Sequence, residues 1–310
     1  MPKTTEKRWG EKKKYSRDWK NYNEELVRRG TFYLDFDWVK NWDKELNQMN
    51  HNKVGAPYRY PESLIELQSV WLHFVALREV EGITRKVAEI GEIPCYNDYS
   101  TVSIRVNKMS TKLDLPKDKD IYVSTDGSGM KMDMSGEYFE DKYGDGKKKF
   151  IKVTISANPF TKDIYEVDVS LEGEELSEPD TAMIHMTELE AQGYNILKFW
   201  VDGSFDVHEL FDFLDYYDIE SAIKIRENAV IDPKGSIRRN IEVKKYQKLG
   251  YTKWAELTKY GFRWTGTEGI FSSVKIKFGE RVRSKNINNM MREVKRKFWA
   301  YEKIKNYAKM

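Results

Sequence analysis

The apolar positions of this chain change period near residue 115. Within 31–50, "TFYLDFDWVKNWDKELNQMN", they predict a short helix. In "LIELQSVWLHFVAL" (64–77) they recur at the i, i+3, i+4 spacing that lines one helix face. Between the two, "HNKVGAPYRYPES" (51–63), with a Gly and two Pro, reads as a linker. "EGITRKVAEI" (81–90) is again helical and meets a stop at Gly91 and Pro94. "CYNDYSTVSIRVNKM" (95–109) opens with the cap-type residues Asn97 and Ser100 and continues as a helix carrying Ser103, Arg105 and Lys108. Helix, short turn and helix suit a helix-turn-helix. An ordinary helical bundle fits the same spacing, and pattern alone favours the bundle.

After "LDLPKDKD" the signal becomes strand-like, at 120–132, 149–158 and 163–171. "YGDGKKK" is expected to turn the first strand into the second, and "PFTK" the second into the third. "EPDTAMIHMTELEAQG" (178–193) predicts a helix, with Pro179 in its first turn and Gly193 at its end. "YNILKFWVDG" predicts a buried strand ending at Asp202, "DVHELFDFLDYY" a helix, and "ESAIKIREN" a fifth strand. Residues 229–255 read as a basic, irregular insertion, with helix from about 255 onward. Three antiparallel strands, helix, strand, helix, strand, insertion and helix make the plan of an RNase H-like α/β domain, a mixed sheet flanked by helices. The expected organisation is a basic arm at 1–30, an all-α, helix-turn-helix-like region at 31–115 and the α/β domain at 116–310.

Charge sharpens this picture. Residues 1–30 hold ten Lys/Arg against five Asp/Glu, 234–263 nine against two, and 277–310 eleven against three. Residues 163–220 hold one against seventeen. Basic blocks around an acidic centre suit a polyanion outside and a divalent cation within, although any single block reads equally well as a solvated helix face. No apolar run approaches the roughly 20 residues of a membrane helix. The N-terminal "MPKTTEKRWGEKKKYSRDWK" lacks the apolar stretch of a secretory signal. With Cys95 alone there is no disulfide or cysteine-built zinc site, and the spacings of His51, His73, His185 and His208 fit no metal motif. A soluble, intracellular protein with no membrane partner is expected.

Three acids stand where such a domain would hold metal: Asp126 on the first strand, Asp202 at the end of the fourth, and Glu268 on the last helical segment. Lys275, seven residues on, shares a helix face with Glu268, while Ile270, Phe271, Val274 and Phe278 mark a core face. Phosphodiester attack builds charge on the entering and leaving oxygens, which two divalent ions held by carboxylates stabilise. Each acid also has a plainer reading. Asp126-Gly127 can turn a hairpin, Asp202 can be a loop acid, Asp206 can cap the next helix, and Thr265–Glu268 resembles a capping box. A calcium loop over Asp126–Glu137 is rejected, since Met130 and Lys131 stand where a ligand and a glycine are needed.

"VSTDGSGMKM", "WVDGSFDVHELFDFL", "DIESAIKIREN" and "YGFRW…EGIFSSVKIKFGERV" resemble DDE transposases of prokaryotic insertion sequences, the group named after insertion sequence five. So do "YNEELVRRGTFYLDFD", "PYRYPESLIELQSVWLHF" and "REVEGITRKVAEIGEIPCYNDYSTVSIRV", so the likeness covers nearly the whole chain. The resemblance implies that Asp126, Asp202 and Glu268 form a catalytic, metal-binding triad for two Mg²⁺ (or Mn²⁺) ions. The family's Tyr-x₂-Arg-x₃-Glu-x₆-Lys signature falls on Tyr260, Arg263, Glu268 and Lys275, with four residues rather than three between Arg263 and Glu268. Tyr260, Arg263 and Lys275 are then expected to contact DNA, as are Ser103, Arg105 and Lys108 in the N-terminal region. The implied activity is recognition of terminal inverted repeats, metal-dependent cleavage and strand transfer into target DNA. It is expected from a homodimer or higher assembly in the prokaryotic cytoplasm, associated with the nucleoid when on DNA. An RNase H-like nuclease that only hydrolyses, and a non-catalytic DNA-binding descendant, are the alternatives.

Overall fold

Runs of β-branched and aromatic residues become the strands. The computed structural model describes residues 18–132, 150–174 and 176–309. They divide into two compact units, one within 113–283 and the other within 17–112 and 284–310.

The first unit is built on a six-stranded mixed sheet. Its strands are β1 (Asp120–Met132), β2 (Phe150–Ala157), β3 (Ile164–Leu171), β4 (Asn195–Val201), β5 (Glu220–Ile223) and the short β6 (Arg281–Val282). The order is β3-β2-β1-β4-β5, with β1–β2 and β2–β3 antiparallel and β4 parallel to both β1 and β5. This order and its connections are those of the RNase H-like plan. Asp126-Gly127 turns no hairpin: Asp126 pairs with Ile155 and Gly127 with Thr154 in the middle of β1. β4 covers one edge of β1 over 120–124 and β6 over 131–132, and among the described residues no strand covers the stretch around Asp126 on that side. The expected "YGDGKKK" turn lies outside the described residues.

Helices α6 (Glu178–Ala191) and α7 (His208–Tyr216) cover one face, where Ala182, Met186, Leu189, Leu210, Phe211 and Leu214 pack on Ile121, Val123, Phe199 and Val201. On the opposite face Trp200, Ala222, Trp254 and Tyr260 form an aromatic cluster. The basic insertion is not irregular. It contains α8 (Ile237–Leu257), kinked at Gly250, whose φ of 71° only glycine adopts at little cost. Before the kink Val243 joins the core of the first face; after it Trp254 sits on the second, so α8 wraps around the β5 edge. A single-turn π segment (Trp264–Glu268) then runs into α9 (Gly269–Phe278).

The second unit contains α1 (Trp19–Thr31), α2 (Trp42–Asn50), α3 (Glu62–Trp71), α4 (Leu77–Glu89), α5 (Tyr99–Val106) and the C-terminal α10 (Ile287–Tyr307). The arm expected at 1–30 is thus helical from Trp19, capped by Asp18, with residues 1–17 outside the description. Short 3₁₀ turns precede α2. Leu64, Ile65, Val80, Val87, Val102 and Val106 form the core of α3, α4 and α5. α5 is capped by Asp98, which accepts from the amides of Ser100 (2.8 Å) and Thr101 (3.0 Å) and is held well below the usual carboxylate range, chiefly by the Ser100 hydroxyl. Asn97, expected as a cap, is buried instead and donates to Gln68. α10 falls in this unit, so the α/β unit ends near 283 rather than at 310.

Candidate active site

Side chains alternate along β1, so Ser124, Asp126 and Ser128 share one face. Behind them Thr125 is locked by Ser156 (2.7 Å), which in turn meets His185 Nδ1 at 2.8 Å. Ser124 donates to the carbonyl of Trp200 on β4 (2.9 Å). Asp202 follows β4 directly. Its Oδ1 accepts from the amide (2.7 Å) and hydroxyl (2.5 Å) of Ser204, which leaves Oδ2 for the cleft. Arg226 fixes the same loop by donating to the carbonyls of Gly203 (2.9 Å) and Ser204 (3.1 Å). Asp206 does not cap α7. It is buried in an ion pair with Arg239 (2.6 Å) and accepts from the Arg226 amide (3.0 Å), tying α8 to the Asp202 loop.

The π turn explains the irregular motif spacing. A π turn takes one residue more than an α turn, so Arg263 and Glu268 still share a face despite the four residues between them. The turn is docked on the β2–β3 connection: Thr265 donates to the carbonyl of Pro159 (2.8 Å), and a Cβ at Gly266 would come within 2.9 Å of Pro159 Cα. There is no capping box at Thr265–Glu268, because the helix is already running. Lys275 donates to Ser128 (2.9 Å), which places it over β1 as the shared helix face predicts.

Arg263 lies among the three acids. Its Nη1 is 3.9 Å from Asp126 Oδ2 and 3.9 Å from Asp202 Oδ2, and its Nη2 is 3.7 Å from Glu268 Oε1. The side chain is 9% exposed, and its Nε has no hydrogen-bond partner. Thr267 reaches Asp126 Oδ2 at 3.5 Å. Burial pushes the Asp126 carboxyl up to about 6, against the opposing pull of Arg263, with Asp202 and Glu178 adding to the rise. Burial also raises Glu268. Among the described residues no three acids stand close enough to grip a cation as they are; a guanidinium stands in their midst. The donor set itself, hard carboxylate oxygens around one positive centre, fits a divalent ion such as Mg²⁺.

Glu178, at the start of α6, was not singled out by sequence. Its carboxylate lies across Gly127, where any Cβ would run into Oε1, and it pairs with Lys152 (3.2 Å). Nothing but its place in the first turn of the helix after β3 distinguishes it among the acids of that block. Two expected DNA contacts are engaged inside the fold. Tyr260 is 2% exposed in the aromatic cluster, and burial holds its hydroxyl above the usual tyrosine range. Arg105 pairs with Glu62 (2.7 Å) and lies over Tyr58. Ser103 is half-buried, and Lys108 is exposed beyond the end of α5.

A family model described as "Transposase DDE domain" matches residues 118–302, and a second with the same description matches 27–135. No curated protein matches the chain. Among solved structures, the catalytic core domain of BIV integrase aligns with 16% identity over 44% of this chain and 78% of its own, TM-score 0.21. The Mos1 transposase paired-end complex aligns with 11% identity over 69% and 79%, TM-score 0.24. The piggyBac transposase synaptic complex aligns with 14% identity over 68% and 52%, TM-score 0.28. The fold assignment rests on the strand order above rather than on these alignments. With more than half of its length inside the family model, and acids on the first and fourth strands and at the penultimate helix, the chain belongs to the DDE transposase family.

Proposed function

We propose that this chain cuts DNA at the ends of its own mobile element and joins the 3′ ends to target DNA, with Asp126, Asp202 and Glu268 as the catalytic carboxylates. The observation that carries the proposal is the convergence of all three, from β1, β4 and the π turn, on one buried guanidinium. The same three side chains would hold two Mg²⁺ or Mn²⁺ ions, which when bound supply Lewis acidity to the entering and leaving oxygens.

The protein's own groups prepare that centre. Ser204 and Arg226 hold Asp202 so that Oδ2 faces inward, and Thr267 steadies Asp126. Arg263 balances the clustered negative charge while no other cation is present. Once it leaves the carboxylates, its planar fork suits a DNA phosphate. Lys275, held on Ser128, supports the backbone of the same DNA. Tyr260, wedged against Trp254 at 5.0 Å, acts as the anchor of this segment rather than as a DNA contact. The helical residues of 18–112 and 284–309 recognise the terminal inverted repeats, and pairing of two ends calls for a dimer or higher assembly. Among the described residues no helix is long and apolar enough to cross a membrane, and the proposed place of work is the cytoplasm, on DNA.

The test offers pre-cut element ends and a target plasmid with Mg²⁺ or Mn²⁺. Asp126→Asn, Asp202→Asn and Glu268→Gln should each abolish joined products while end binding persists. Retained joining removes the residue concerned from the triad, and hydrolysis without joining by the wild type identifies a nuclease instead.

A further inference from the structure

The end of α5 meets α10 around a cavity of about 290 Å³. Lys108, Arg292, Lys295 and Arg296 line it together with Asn107 and Thr111, and among the described residues no carboxylate does. Charge of one sign around a polar cavity is costly unless an anion enters.

Arg296 gives the second observation. It is 6% exposed, so its charge has left water. Its Nη1 donates to Asn107 Oδ1 (3.2 Å) and to the carbonyl of Val106 (3.4 Å), which satisfies the carbonyl end of α5. Its Nε, also buried, has no partner. Burial pulls the guanidinium down to about 10; Glu293 opposes this and Arg292 adds to it. A buried donor left unsatisfied is rare and calls for an occupant.

We propose that this cavity binds a phosphodiester of the DNA backbone, with Arg296 as the buried donor and Lys108, Arg292 and Lys295 as the rim. A guanidinium fork with three long cationic side chains is the chemistry that holds a tetrahedral oxyanion. The volume far exceeds that of a single water, leaving room for the sugar on which a backbone phosphate is carried. The site brings Lys108 together with the basic C-terminal block, two segments nearly two hundred residues apart in the chain. It positions DNA and reads no bases. The proposal rests on the DNA-binding reading above.

The test measures binding of a random-sequence duplex of about 30 base pairs by fluorescence anisotropy from 50 to 200 mM salt. Lys108→Gln, Arg292→Gln and Lys295→Gln should each weaken binding several-fold and lower the slope of log K against log salt by about one. Lys117→Gln, at an exposed lysine ahead of β1 and outside the helical unit, should leave that slope unchanged. Circular dichroism melts confirm that the three rim variants stay folded, and no buried residue is altered. Wild-type slope and affinity in the rim variants overturn the site while leaving DNA binding intact. A wild-type chain that binds no duplex overturns both. Inorganic phosphate is the second probe. If it raises the melting temperature of the wild type but not of the rim variants, and DNA binding is unaltered in them, the cavity is a free-anion site and the DNA assignment falls.

Discussion

Asp126→Asn should make the metal-free protein more stable while destroying its activity. In the folded chain burial raises the carboxyl from 3.8 to about 6, and one pKa unit corresponds to about 1.4 kcal/mol, so ionising Asp126 costs the fold about 3 kcal/mol. The sign follows from the linkage: the folded chain holds a proton between about pH 4 and 6 that the unfolded chain has released. Wild-type stability therefore falls across that window from this group and stays low above it. Asparagine mimics the neutral acid at every pH. Urea unfolding in EDTA should show the variant and wild type nearly equal near pH 4 and the variant ahead by up to about 3 kcal/mol at pH 8. Adding Mn²⁺ at a hundred times its Kd should return about 2.7 kcal/mol to the wild type and far less to the variant. An asparagine variant that is less stable at pH 8, or that differs equally at both pH values, refutes the assignment of Asp126 to a desolvated, charge-crowded position.

Other outcomes follow from the same geometry. Arg263→Gln removes the one cation among three acids, so metal-free stability at pH 8 should drop by about 3 kcal/mol and Mn²⁺ affinity, by calorimetry, should rise; weaker Mn²⁺ binding contradicts a competing guanidinium. Gly127→Ala drives the Glu178 carboxylate aside, the far end of a flexible side chain, so denaturant melts should show a cost of about 1 kcal/mol that disappears in a Glu178→Ala background. The same cost in both backgrounds rules out that contact. Deleting Thr265 should turn the π turn into an α turn with Arg263 and Glu268 still aligned, and strand transfer should stay within about tenfold of wild type. Complete loss shows that the extra residue does more than fill the turn.

Five strands were legible, most of them as compact runs of β-branched and aromatic residues bounded by breakers. The fifth stops at Ile223, short of the expected "KIREN", and the two-residue β6 was not anticipated. β1 runs from Asp120 to Met132 as its pattern predicts, with Asp126 on it, and Asp202 directly follows β4, its neighbour in the sheet. Failures arose where a helix buries different faces at different points. α8 splits its apolar positions between Val243 on one face of the sheet and Trp254 on the other, with Gly250 and many lysines between, so no single period emerges. α1 buries no residue, and the basic composition around it reads as an arm although Trp19, Tyr22 and Leu26 fall at helical spacing. The membership of α10 in the helical unit is a long-range choice that no local pattern encodes. Chemistry was legible as residue type but not as environment. Tyr260 and Arg105 look like DNA contacts in sequence and are engaged internally, and Arg263 shows its place among the acids only when the π turn has formed.

The most direct measurement is a crystal structure of the chain with Mn²⁺ and a double-stranded element end, read by anomalous scattering. The expected result is manganese in direct contact with the carboxylates of Asp126, Asp202 and Glu268, with Arg263 withdrawn from between them. Manganese bound away from these acids, or Glu268 turned outward with Arg263 still seated against both aspartates, would contradict it.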